Sequence, residues 1–175
     1  MSATFEFWED NGPAISSPPK GTTRTAARGE GNWKNVDDSV TAYTSSPVRA
    51  GNNSFDKWQF GRFTGAFNEI SNGLWAHTAG VLGAGLAVKG AVTSTYTTPA
   101  TTANAALSVD MTPVIAIGSG QPVLFHTTGP EGATPTPTLT AAGYTQYLPT
   151  QLQTTVSAAA GDIASVALTL EYDEN

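Results

Sequence analysis

Cysteine is absent from the 175 residues, which excludes disulfide scaffolds, zinc–thiolate sites and thiol nucleophiles, and leaves the redox compartment open. Charge is scarce: 13% of residues are charged against 39% hydrophobic, unlike a disordered chain, which is charge-rich and poor in aromatics. No apolar run approaches the roughly 18 residues of a membrane-spanning helix, and the N-terminus has none of signal-peptide length. The reading is a soluble protein made in the cytoplasm, with no membrane partner. Basic residues are missing from the second half. All eight (Lys20, Arg24, Arg28, Lys34, Arg49, Lys57, Arg62, Lys89) precede position 90, and only Asp110, Glu131, Asp162, Glu171, Asp173 and Glu174 carry charge beyond it. With a net charge of −6, that acidic half argues against wrapping nucleic acid.

What is present is threonine, serine, asparagine and glutamine, with 18 Gly and 11 Pro as punctuation. Threonine is β-branched and suits a pleated surface, so the composition leans all-β. The densest aromatic stretch runs from Asn52 to Ile70. Phe55, Trp58, Phe60, Phe63, Phe67 and the nearby Trp75 carry large apolar area and form the expected core. Trp58 and Phe60 share one parity, Phe63 and Phe67 the other, which implies a β-bulge or bend at Gly61. A helix would have to hold Gly61 and Gly65 inside it, at roughly 1 kcal/mol each.

Asn72-Gly73 signals a turn. Leu86, Val88 and Val92 alternate with small or polar neighbours, as do Leu107, Val109 and Met111. Val114 to Ile117 reads as a buried strand, and Val123-Leu124-Phe125 as another. Residues 128–143, with Pro130, Pro135 and Pro137, form a long loop. Leu152, Thr154 and Val156 alternate, then Ser157 to Asp162 link, with a turn at Gly161, to a last strand in which Val166, Leu168, Leu170 and Tyr172 alternate. The two make a hairpin or a sheet-crossing connection. About seven to nine strands result, giving an antiparallel β-sandwich or jelly roll.

The first residues differ. Phe5, Phe7 and Trp8 make an aromatic patch that Asn11-Gly12-Pro13 ends, and residues 16–31 are a basic, aperiodic tether. Such a stretch is either a linker or an arm that orders on a neighbouring subunit. Trp33 and Val36 open a second ordered stretch that ends at Pro47. The organisation expected is an extended N-terminal arm over 1–47 and a β-sandwich domain over 48–175.

Chemistry is sparse. His77 and His126 lack a second His or carboxylate at ligand spacing. Gly83 to Gly90 lacks the Gly-Lys-Ser/Thr order of a phosphate loop, and Ser119 has no nucleophile elbow. Asp37-Asp38 lacks the carboxylate ladder of a calcium loop. A glycosidase pair would have to come from Asp110, Glu131, Asp162 and Glu171. No residue is assigned to catalysis, a cofactor or a metal, and the reading is binding without catalysis.

Asn53 to Trp58, Phe63 to Asn72, Tyr147-Leu148, Gln151 to Gln153, Ala160-Gly161, Thr169 to Glu174 and the opening Thr4 to Glu9 together resemble small virion structural proteins of tailed bacteriophages. The resemblance spans most of the chain, rests on structural motifs and carries over no functional residues. It implies a non-enzymatic β-sandwich subunit of a virus particle, decorating the capsid exterior as a cement protein. The expected partners are the major capsid protein or other virion proteins, and the chain's own copies as a homotrimer or other homo-oligomer. The arm would bind a polar or acidic crevice through Phe5, Phe7, Trp8, Lys20, Arg24, Arg28 and Trp33. The alternative is a neck-, tail- or fibre-associated structural component, or a host-surface binding component of the phage particle, that uses the 128–143 loop.

Overall fold

The computed structural model describes residues 2–28, 31–159 and 165–175. Eleven strands and no helix are found among them: β1 (Ala3–Asn11), β2 (Thr23–Thr25), β3 (Lys57–Gly65), β4 (Ile70–Ala79), β5 (Leu86–Gly90), β6 (Val109–Asp110), β7 (Gln121–Val123), β8 (Phe125–His126), β9 (Gly143–Thr145), β10 (Leu148–Thr154) and β11 (Ala167–Glu174). All pairings are antiparallel. The larger sheet runs β2-β1-β3-β10-β5-β6, with β9 joining β3 to β8; the smaller runs β11-β4-β7. The two pack as a β-sandwich, the fold class expected.

The aromatic stretch is the centre of the core, but for a different reason. β1 pairs with β3 without interruption from Ala3↔Gly65 to Asp10↔Trp58, so there is no bulge at Gly61. The parity switch arises because both faces of β3 are covered. Phe63 joins Phe67, Trp75, Phe125, Leu148 and Leu170 in the main core. On the opposite face Trp58 and Phe60 pack with Tyr96 and Tyr147. Gly61 is needed for close approach, since a Cβ there would stand 2.6 Å from Phe5 Cε2.

That pairing corrects the expected arm. Residues 3–11 are a full strand of the larger sheet, and β2 extends the sheet from within the basic tether. Other expectations also shift. Asn72-Gly73 lies inside β4, with Asn72 at φ 52° beside the register shift between Glu171 and Asp173. Its left-handed backbone accommodates a β-bulge, a conformation Asn tolerates better than most residues. Val114 to Ile117 is not a strand; Val114 and Ile117 are exposed. Residues 128–143 are pinned by bridges Ile70↔Leu139 and Phe125↔Thr136, and Leu139 is buried. The run Val123-Leu124-Phe125 splits, its first residue in the smaller sheet and its last in the larger. β10 and β11 also lie in different sheets, so their link is the sheet-crossing alternative. The turn expected at Gly161 lies outside the described residues.

Candidate functional site

β1 ends in Glu9-Asp10-Asn11, three polar residues that are all buried. Strand alternation sends Asp10 to one face of the sheet and Glu9 with Asn11 to the other. Two polar constellations result, back to back across a single strand.

On the Asp10 face, register places Arg24 of β2 directly opposite. Arg24 grips the carboxylate with Nε to Oδ1 and a terminal nitrogen to Oδ2, both at 2.7 Å. Its guanidinium lies 4.8 Å from the centroid of the Phe60 ring and reaches Glu131 Oε2 at 3.3 Å. Tyr147 donates its hydroxyl to Asp10 Oδ2 at 2.6 Å and to Glu131 Oε2 at 3.2 Å. A bidentate, charge-assisted pair is the geometry that compensates a buried carboxylate. Burial alone would pull the Arg24 guanidinium down, but the Asp10 hydrogen bond and the charges of Asp10 and Glu131 hold it above its ordinary value. Burial, followed by the Asp10 charge, pushes the Tyr147 hydroxyl up. The tyrosine therefore stays a neutral donor.

On the other face, Glu9 Oε1 accepts from Lys57 Nζ at 2.8 Å and from Asn11 Nδ2 at 2.8 Å. Lys57 also donates to the Asp38 carbonyl at 2.9 Å, and Asn11 Nδ2 to Asp37 Oδ1 at 2.9 Å. Arg28 Nε stands 3.9 Å from Glu9 Oε2. Asp38 in turn takes Lys34 Nζ at 2.7 Å. Close by in sequence, Asp56 is fully buried with Asn104 Nδ2 on Oδ2 at 2.9 Å. Burial raises its carboxyl from the ordinary 3.8 to about 6, against the lowering effect of Asn104.

The side chains expected to meet a partner are mostly engaged inside the domain. Phe5 packs on Phe7, Phe63 and Tyr172, and Phe7 on Trp75. Trp8 sits against Phe60 under the Arg62 guanidinium. Trp33 packs on the core and donates to Thr150 Oγ1 at 3.2 Å. Arg24 and Arg28 face Asp10 and Glu9. Lys20 Nζ donates to the Ser16 carbonyl at 2.5 Å. The aromatic side chains, Arg24 and Arg28 thus brace the domain internally, while the Lys20 contact is local to its own loop. Glu9, Asp10, Asn11, Lys57 and Tyr147 escape sequence reasoning; the signal available is a cluster of acids ending an aromatic strand, and a lysine directly before a core tryptophan.

The histidines are held by neighbours. His77 Nδ1 lies 3.0 Å from the Met111 carbonyl and Nε2 2.8 Å from that of Ala79. His126 Nε2 meets Ser94 Oγ at 2.8 Å, and Gln146 Nε2 donates to that same oxygen at 3.1 Å. Burial lowers His126, with the Glu131 charge opposing. Among the described residues no group of three His, Asp or Glu side chains is arranged to hold a metal ion. A shallow cleft of about 440 Å³, lined by Trp58, Thr93, Thr97, Leu107, Gln121 and Pro149 among others, opens beside β6 and β7. No protein-family model, no curated protein and no solved structure matches the chain.

Proposed function

We propose that this chain is a non-enzymatic structural subunit of a tailed-phage particle that decorates and stabilises the outer shell. The observation that carries the reading is where the resembling segments fall. Thr4 to Glu9 lies in β1, Lys57-Trp58 opens β3 and Phe63 to Gly65 closes it. Ile70 to Asn72 starts β4, Gln151 to Gln153 belongs to β10, and Thr169 to Glu174 to β11. Much of the resemblance therefore maps onto strands of both sheets, while Asn53 to Asp56 and Ala66 to Glu69 fall in the connections and Ala160-Gly161 lies outside the described residues. The reading differs from the expected arm in its contact surface. With Phe5, Phe7, Trp8 and Trp33 engaged internally, shell contact falls to aliphatic side chains that stand exposed on loops, Val40, Val81, Ile117 and Val156.

The test is to mix purified protein with shells that lack it, sediment them and count bound copies at saturation. Hundreds of copies (order of magnitude, since a symmetric shell repeats one interface many times) support decoration. A handful supports a neck, tail or fibre position, and no binding overturns the reading.

A further inference from the structure

Continuing the β1–β3 register one step beyond Asp10↔Trp58 sets Asn11 opposite Lys57, the last residue of β1 against the first of β3. Directly opposed residues project to the same face. A single carboxylate oxygen, Glu9 Oε1, bridges Lys57 Nζ and Asn11 Nδ2 at 2.8 Å each. All three side chains are at least nine-tenths buried. A second carboxylate, Asp37, also takes Asn11 Nδ2, while Asn11 Oδ1 is buried without a hydrogen-bond partner.

A buried ion pair with an asparagine alongside explains the Lys57–Glu9 contact, but not why the amide nitrogen is held by two carboxylates while its carbonyl has no donor. We infer that Lys57 and Asn11 form an intramolecular isopeptide bond, with Glu9 as the proton carrier. In the reacting form the shared proton rests on Glu9, which leaves Lys57 an uncharged amine and removes two opposite charges from a water-poor site. The Nζ lone pair attacks Asn11 Cγ, and the Cγ–Oδ1 π electrons move onto Oδ1. Glu9 passes its proton to Nδ2 and takes one from Nζ. The tetrahedral centre collapses, the Cγ–Nδ2 bond breaks, and ammonia leaves. Lysine amine plus asparagine amide give a secondary amide plus ammonia, with no oxidant or co-reactant. Glu9 supplies the proximity, because one of its oxygens holds Lys57 Nζ and Asn11 Nδ2 at 2.8 Å each, while Asn11 is fixed by its pairing with Thr23 and Lys57 by its pairing with Thr150 before reaction. The product fastens the end of β1 to the start of β3.

The test is the intact mass of the full-length protein, allowing for removal of Met1, with peptide mapping. The expected result is a mass lower than the sequence by one ammonia, and a branched peptide joining Asn11 to Lys57. A full sequence mass after prolonged incubation of the folded protein overturns the inference. Asn11-Gly12 and Asn72-Gly73 are also able to lose ammonia as cyclic imides, a route that uses no lysine. K57R, which keeps a cation beside Glu9, separates the two: it is expected to retain full mass, and persistence of the loss in K57R overturns the cross-link. E9Q, which keeps both reacting groups, is likewise expected to retain full mass, so the inference stays testable if K57R does not fold.

Discussion

Tyr147 and Asp10, 137 positions apart in the chain, meet at 2.6 Å with the tyrosine hydroxyl donating to Oδ2. The bond joins the bridge residue just before β10, itself paired with Thr93, to the C-terminal end of β1, across the face of β3. Tyr147→Phe removes that donor, and with it one of the two donors to Glu131 Oε2, the other being Arg24, while keeping the ring against Trp58 and Phe60. The expected loss is about 1–3 kcal/mol, the usual consequence of leaving a buried acceptor short of a partner. Chemical denaturation with an unchanged slope is the check; no change in midpoint would mean that Arg24 alone satisfies Asp10.

Arg24→Met strips the bidentate partner from a carboxylate with no exposed surface. Breaking a buried pair from one side typically costs about 3–5 kcal/mol, so thermal unfolding should fall steeply. Arg24→Lys should recover only part of the loss, because an ammonium cannot reproduce the two-pronged contact. Full recovery by lysine would reduce the pair to simple charge neutralisation.

Asp56 supplies a pH signature. Its folded carboxyl titrates at about 6 against 3.8 ordinarily. For an acid raised on folding, the protonated form is the one the fold favours. Its contribution is complete below 3.8 and is lost as pH rises through about 6. Asp56→Asn should therefore be more stable than the parent above pH 6, by up to about 3 kcal/mol, with the difference closing towards pH 4. Paired melts across that range would show it. A constant difference would place the titration elsewhere.

Removing residues 1–31 deletes β1 and β2 together. The expected result is a chain without a cooperative unfolding transition, since β3 loses its long pairing on the β1 side and Phe63 loses the Phe5 ring. A truncated protein that still gives a dispersed amide NMR spectrum would restore the separable arm.

Strands with one clear alternation are legible in the sequence: β5, β10 and β11 lie where Leu86/Val88, Leu152/Thr154 and Leu168/Leu170 place them. Large rings on both faces are not, because a strand such as β3 then reads as a change of parity at Gly61, whereas β10, also buried on both faces, keeps its alternation by placing Gln151 on the face opposite Leu152. Val114 to Ile117 misleads for the reverse reason, being an apolar run that no sheet collects. The charged constellations are hidden more deeply. Arg24 reaches Glu131 across 107 positions, and nothing in the local pattern of either residue announces the other. Taking Arg24 and Arg28 for a solvated tether follows from composition; pairing with Asp10 and Glu9 follows only once β1 is in the sheet.

The passage from Val123 to Phe125 takes the chain from one sheet to the other through a single residue, Leu124, with both flanking side chains anchored in the same core. Sliding one sheet over the other would have to drag Val123 or Phe125 out of its seat, since one residue of slack cannot absorb the travel. Pulled or sheared from outside, the sandwich should resist as a riveted plate does, holding its dimensions until it fails as a whole.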